Sequence, residues 1–492
     1  MGHRLEVEVS RAQTTDRLTE AIRGLWIRAP ELSARGPGPR WLIPVLLLFA
    51  FCGAFGLMID QSLTLLINGA VLLPIFLAGT LMRVMAAVEL LRRPAIAGPR
   101  LRLMPARFSA PLPTYAVMVP LYDEAAVLPG LVENLSQLDY PRELLDIILV
   151  IEARDAATQR ALAAITLPSH MRVVIVPRGG PKTKPKALNY AFAEVRSDHV
   201  VVFDAEDRPD PDQLLLAAVR FRRSSPKLAC LQARLNVDNP MTSFFTRQFT
   251  LEYAALFDGL LPALERMGWP IPLGGTSNHF RTKHLRKVGA WDPYNVTEDA
   301  DLGIRLARSG YQTATLASTT WEEAPTRRRI WLGQRRRWLK GWMQTWLVHM
   351  RQPGKLLKEL GWWQFVGVQT VMGSVLLSAL VYPVFLLLVL GSAAMSAASE
   401  TPPESAQSWL WWAMWLSFFI GIGAPMLTAA IATVRRGRGH LIGGVLAMPF
   451  YWLFVSLAGY QALAELTTRP FHWEKTRHGL SASRRFKPKR GD

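Results

Sequence analysis

His199–Asp207 reads HVVVFDAED. An apolar run without polar alternation is a strand buried on both faces, and here it passes straight into carboxylates. Upstream the same signature recurs as YAVMVP (115–120), DIILVIEA (146–153) and MRVVIVP (171–177). Helical patterns alternate with these runs from about Thr114 to Ala324, which predicts an α/β domain with parallel strands. Polar residues cluster where the strands end: Tyr122, Asp123 and Glu124 after the first, Glu152 and Asp155 after the second, Asp204, Glu206 and Asp207 after the last. That rim is where an open parallel sheet places its ligand.

Outside this domain the texture changes. Of 492 residues 50% are hydrophobic and 19% charged, and the mean hydropathy is positive. Trp41–Ile59 and Leu63–Val84, parted by Asp60 and Gln61, each approach the ~20 apolar residues of a membrane helix. Arg83, Arg92, Arg93, Arg100 and Arg102 follow, so the positive-inside rule puts the α/β domain in the cytoplasm. Phe365–Ala397 and Trp409–Val434 flank the acidic link SETPPES. Leu441–Leu466 is long enough to cross, yet Pro449 breaks it and Tyr451, Trp452 and Tyr460 suit the interface. Crossing would also export the basic tail, so it is laid on the cytoplasmic surface, giving four spans with six as the alternative. The expected plan is therefore a cytoplasmic arm (1–40), a transmembrane hairpin (41–85), a cytoplasmic α/β domain ending in an interfacial Trp helix (86–350), transmembrane helices (351–440), an interfacial or transmembrane helix (441–466) and a basic cytoplasmic tail (467–492).

Fifty-seven Lys and Arg against 38 Asp and Glu leave a net +19, which calls for an anionic partner. Much of that surplus lies beside apolar segments, where a phospholipid membrane accounts for it and no nucleic acid is needed. Two cysteines exclude a disulfide framework, no Cys/His spacing suggests zinc, and 17 Trp with 21 Phe exclude disorder.

Several clusters carry chemistry. Asp204 and Glu206, two residues apart at a strand end, suit a hard divalent cation, whereas Asp210 or Asp212 reads as the cap of QLLLAAV. Thr297, Glu298 and Asp299 open TEDADLGIRLARSG as a capped, acidic helix start that is also able to supply a general base. Asp301 and Arg305 are a structural i,i+4 pair. Lys184 and Lys186 lead into a helix, either as phosphate ligands or as solvated turn residues. In RRRIWLGQRRRWLKGWMQTW (327–346), Gln334, Arg337 and Trp338 share a helix face that Trp331, Trp342 and Trp346 extend. Such a helix suits lipid head groups, and it offers indoles to a sugar and a guanidinium to a leaving diphosphate. No histidine sits in a ligand spacing.

The ordered set VPLYDE, DAED, TED and QRRRW, embedded between membrane segments, resembles the processive membrane glycosyltransferases of family 2, the group of cellulose, chitin, hyaluronan and β-glucan synthases. The resemblance implies a GT-A domain at the inner (plasma) membrane, a nucleotide-sugar donor such as a UDP-sugar, and Mg²⁺ or Mn²⁺. It further implies inverting transfer to a growing β-linked polysaccharide, coupled to export. By position Tyr122, Glu124 and Glu152 match nucleotide contacts and Lys184 a phosphate contact. Asp204 and Glu206 match the DxD metal motif, with Glu in place of the second Asp, which leaves Glu206 or Asp207 as second ligand. Asp299 matches the base, with Glu298 beside it on the acceptor side; Gln334, Arg337 and Trp338 match QxxRW, which holds acceptor and diphosphate; Gly275 and Thr276 line the acceptor pocket. FHWEKTRHG (471–479) resembles a gating loop but departs from it at Trp473, Lys475 and Thr476. The alternatives are single transfer to a lipid, as in ceramide glucosyltransferases, and a nucleotide-binding receptor or exporter subunit without chemistry. Accessory subunits or a homo-oligomer remain open.

Overall fold

The computed structural model describes residues 2–92, 111–398 and 406–471. Arg93, Arg100, Arg102, the acidic link and the gate-like Trp473, Lys475 and Thr476 lie outside the described residues. Three helices come first: α1 (Gly2–Arg28), α2 (Leu42–Ile59) and α3 (Gln61–Arg92). The α/β domain follows as β1 (Tyr115–Leu121), α4 (Leu128–Ser136), β2 (Leu145–Glu152), α5 (Ala156–Ala163), β3 (Met171–Val176), α6 (Lys184–Phe192), β4 (His199–Val202), β5 (Arg208–Pro209), α7 (Gln213–Arg222) and β6 (Leu228–Val237). Next, α8 (Phe244–Ala254) runs through a π-turn (Ala255–Leu260) into α9 (Leu261–Met267). The domain closes with β7 (Asn278–Arg281), α10 (Thr282–Lys287), α11 (Glu298–Arg308), β8 (Gln312–Glu322) and α12 (Arg328–His349). Last come α13 (Pro353–Ala398), kinked at Gly361, then α14 (Ala406–Arg435) and α15 (Met448–Thr468).

The strands form one sheet in the order β3-β2-β1-β4-β7-β6-β8-β5. The four apolar runs read from the sequence are its parallel half, and all four residues of β4 are buried. The other half corrects the parallel expectation: β7 is antiparallel to both β4 and β6, and β5 is antiparallel to β8. No apolar run announces β7 because Phe280 is preceded by the buried polar residues Asn278 and His279. His279 Nδ1 lies 2.7 Å from the Tyr115 hydroxyl and Nε2 3.1 Å from Gln213 Oε1. Burial pushes this imidazole down to about 3, so it packs as a neutral ring.

From β1 the chain moves outward to β2 and β3 and then returns to place β4 on the other flank of β1. The loops after β1 and β4 therefore diverge and open a crevice at their carboxyl ends.

By length and composition, two segments among the described residues could cross a membrane, Pro353–Leu387 and Gly439–Thr468, while Leu42–Gly56 and Phe419–Arg435 are shorter apolar helices. The second of the long pair contains the stretch that the sequence reading laid on the surface. Leu47, Phe51, Met58, Leu387, Leu416 and Phe419 are exposed on α2, α13 and α14.

The amino-terminal arm is part of the α/β domain rather than a free extension. Arg17 Nε donates to Tyr190 O at 2.7 Å, and its guanidinium lies 3.9 Å over the Tyr190 ring on α6. Ser33 Oγ donates to Asp292 Oδ1 at 3.0 Å. The Arg351 guanidinium donates to the carbonyls of Ser33, Gly36 and Pro37, each at 2.7 Å.

Candidate active site

A cavity of about 690 Å³ opens at the crevice. Of the residues singled out from the motifs, it is lined by Tyr122, Glu124, Glu152, Lys184, Asp204, Glu206, Gly275, Thr276, Glu298, Asp299, Gln334, Arg337 and Trp338, and not by Asp207.

At the nucleotide-facing rim, Glu152 is fixed by Lys186, whose buried Nζ sits 2.7 Å from Glu152 Oε1. Lys186 is thus a structural partner rather than a solvated lysine. Glu152 Oε2 is buried without a hydrogen-bond partner among the described residues and is left to accept from a ligand. Asp155 is not available in the same way: its oxygens take the Thr158 N–H at 3.0 Å and the Asp123 N–H at 2.6 Å. That second bond holds Asp123 at φ 55°, a left-handed turn that sets Tyr122 and Glu124 on either side of it.

The carboxylates after β4 divide by direction. Lys184 Nζ lies 2.6 Å from Asp204 Oδ1 and also donates to Gly275 O. Asp207 turns inward, where its Oδ2 accepts the Asp204 N–H at 2.7 Å and the Thr276 hydroxyl. Glu206, not Asp207, lines the cavity. Neither Asp210 nor Asp212 provides the side-chain cap expected for α7; Asp210 Oδ2 instead accepts the Thr319 N–H at 2.8 Å and ties the helix start to β8.

On the opposite wall, Glu298 and Asp299 begin α11 with almost no solvent exposure. Thr297 occupies the cap position without a side-chain cap bond, which corrects that expectation. The preceding loop is fastened to α12 instead: the Val296 N–H donates to Gln344 Oε1 at 3.1 Å and Asn295 Nδ2 to Thr345 Oγ1 at 2.9 Å. Two glycines make this fit. A Cβ at Gly341 would lie 2.4 Å from Thr297 Cγ2, and one at Gly303 would lie 2.2 Å from Ile271 O.

On α12 the face bearing Gln334, Arg337 and Trp338 continues into the cavity through Trp342 alone. Trp331 and Trp346 point elsewhere, with indole N–H groups 3.2 Å from the Tyr451 hydroxyl and 2.9 Å from Gln369 Oε1. The helix is enclosed by α11, α13 and α15 and has buried residues along most of its length, unlike the surface-lying helix expected. Arg335, which the sequence reading passed over, makes a two-pronged pair with Glu252 at 2.6 Å and sits 4.8 Å over the Trp338 ring, leaving at most one indole face open. The Asp301–Arg305 pair is present at 2.6 Å, and His349 joins it at 3.1 Å.

Charge at the centre is unbalanced. Burial pushes the Glu298 and Asp299 carboxyls up, with Glu298 adding to it at Asp299 and Asp204 adding to it at both; Lys184 opposes this without cancelling it. Glu322 at the end of β8, another residue missed from the sequence, is pushed up by burial and by Asp207, Glu206 and Asp204. Burial pulls Lys184 down, but Asp204, Asp299 and Glu298 outweigh it and hold the ammonium above its usual range. Arg337 is lowered by burial against the pull of Glu298, Asp204 and Asp299, and its Nε lacks a partner. A site with raised carboxyls and an unpartnered buried guanidinium fits a ligand carrying both a cation and anionic groups. Oxygen donors at Asp204 and Glu206 suit Mg²⁺ or Mn²⁺. Among the described residues no three His, Cys, Asp or Glu converge as a complete metal cage. The remaining coordination would fall to phosphate and water, as is usual for Mg²⁺.

A switch-point crevice with an acidic strand end facing an acidic helix start defines a GT-A-like α/β domain. Residues 113–341 match the family described as Glycosyltransferase like family 2. It is 28% identical to the probable glycosyltransferase YdaM of Bacillus subtilis over 50% of this chain and 60% of that protein, so it spans less than two thirds of that relative. To the beta-monoglucosyldiacylglycerol synthase of Synechocystis it is 28% identical over 76% of each chain. The mannosyltransferase PcManGT from Pyrobaculum calidifontis, solved with GDP-Man and Mn²⁺, shares the fold at TM-score 0.50 and 19% identity, over 81% of this chain and 97% of that one.

Proposed function

We propose that the chain is an inverting membrane glycosyltransferase that moves a sugar from a nucleotide-sugar donor, such as a UDP-sugar, to a hydroxyl on a membrane lipid. One observation carries this reading: a single cavity joins the carboxylate centre to an apolar arm between the helices. The resemblance of the chain over three quarters of its length to a glucolipid synthase supports it.

Asp299 is the base. Its raised proton affinity equips it to take the proton of the acceptor hydroxyl. The acceptor oxygen then attacks the anomeric carbon from the face opposite the diphosphate, and the bond to that diphosphate breaks with its electron pair leaving on the nucleoside diphosphate. An α-linked donor gives a β-linked product. Lys184 and Arg337 receive the charge that grows on the leaving group. Mg²⁺ or Mn²⁺, held by Asp204 and Glu206, would neutralise phosphate oxygens.

A growing polysaccharide is the second reading, favoured by Trp338 and Trp342 on the cavity wall. Supplying the purified full chain with radiolabelled UDP-glucose, UDP-N-acetylglucosamine or GDP-mannose and a mixed lipid extract separates the two. Label should move into the organic phase and stop doing so in EDTA. Label retained as an insoluble polymer would replace the lipid acceptor with the second reading, and no donor consumption at all would sink both.

A further inference from the structure

The far arm of the cavity runs between α3, α13, α14 and α15. Its walls include Met82, Ala86, Leu260, Val371, Val375 and Val455, side chains that offer a sugar chain no hydrogen bonds. Into this arm α3 brings one charge, Arg83. Positive-inside placement explains an arginine near the end of a span, but such a residue extends to water or head groups. Arg83 instead faces the cavity, where its Nη2 donates to the Ser378 hydroxyl on α13 at 3.2 Å. No carboxylate pairs with it among the described residues. An enclosed cation without a counter-ion is costly, and at membrane depth it marks a binding site. Its planar fork of donors suits phosphate.

Apolar walls, one guanidinium and a general base at the end of the same cavity describe the parts of one ligand. We propose that the arm seats the acyl chains of an anionic lipid acceptor, that Arg83 holds its phosphodiester, and that a free hydroxyl beyond the phosphate reaches Asp299. This inference rests on the transferase reading above and names its acceptor class.

The test uses the full chain in vesicles of defined composition with the labelled donor that it consumes. Phosphatidylcholine vesicles containing phosphatidylglycerol, which has both a phosphodiester and free hydroxyls, should support transfer at least about tenfold better than vesicles containing diacylglycerol, a neutral hydroxyl acceptor, because a hydrogen bond to a charged group contributes roughly a factor of ten or more. Arg83→Gln should raise KM for phosphatidylglycerol by about tenfold with kcat within about twofold, and Arg83→Lys should recover part of the loss. Equal use of the two lipids by the unmodified protein overturns the proposal whether or not the variants fold, as does an unchanged KM in a folded Arg83→Gln. Inorganic phosphate added to diacylglycerol vesicles should not restore transfer; if it does, Arg83 binds a free anion and the lipid assignment fails. Nucleoside diphosphate release from the donor in the presence of the mixed lipid extract reports on the transferase reading by itself. Its absence sinks that reading, whereas release without lipid preference sinks only this inference.

Discussion

At the end of β4 each carboxylate whose contacts are resolved has a neighbour that fixes it: Asp204 has the Lys184 ammonium at 2.6 Å, and Asp207 has the Asp204 N–H at 2.7 Å. At the start of α11, Glu298 and Asp299 share the field of that same Lys184 and otherwise repel each other in a buried place. The first group is fixed in position by its partners, with Asp207 itself pushed up by burial and by Asp204 and Glu206; in the second, burial raises the proton affinity of both carboxyls. The two acidic clusters thus differ in how their partners hold them, which supports the proposed division into a cation holder and a base.

The largest effect that would sharpen this contrast is expected at Asp299. Asp299→Asn should lower kcat by about 10²-fold or more while the donor Kd, read by calorimetry, stays near that of the unmodified protein, since removing a general base typically costs 10² to 10⁴. The rate needs the deprotonated base, so activity should fall as pH drops through the raised Asp299 value. That acid limb should sit above the ordinary carboxylate range and vanish in Asp299→Asn. Collapse of donor binding instead would place Asp299 in the holder class and break the comparison.

Within the strand-end cluster, Glu206→Gln should weaken Mn²⁺ dependence with Tm unchanged. Asp207→Ala should do the reverse, because it leaves the Asp204 N–H and the Thr276 hydroxyl without their acceptor, at about 1 to 3 kcal/mol for a buried unsatisfied group. Metal titrations and thermal unfolding of the two variants check this; matching behaviour would mean that both carboxylates do one job. The smallest effect belongs to Thr297→Ala. Its hydroxyl has only 3.4 Å contacts to Asn295 and Thr345 and caps nothing, so chemical denaturation should report less than about 0.5 kcal/mol rather than the ~1 kcal/mol of a lost cap.

How much of this could be read beforehand follows from how local each signal is. The strand-end and helix-start carboxylates are strings of neighbours, and a strand or helix register places such strings without knowledge of the rest of the chain. Gln334, Arg337 and Trp338 likewise needed only helical spacing. The same spacing misled at Trp331 and Trp346, because a shared helix face is wider than the cavity and α13 and α15 claim its two ends. Lys186, Arg335 and Glu322 gain their roles from partners distant in sequence, and no local pattern announces those. Arg83 was read through a rule for membrane flanks that knows nothing of which way a side chain turns. β7 stayed hidden because two of its three buried residues, Asn278 and His279, are polar, so a single Phe280 is all the apolar signal it offers.

The grip of Arg351 on the arm also orders events during synthesis. Ser33 and Arg351 are 318 residues apart, so the arm leaves the ribosome long before its anchor exists. At roughly 5 to 20 residues per second that wait is about 15 to 60 s. The arm can meet Tyr190 and Asp292 earlier, but its Arg351 clasp cannot close until the last turn of α12 has been made, and α13 is the next segment to emerge. The fully clasped arm is therefore a mark of a finished domain, set just as the next apolar helix emerges.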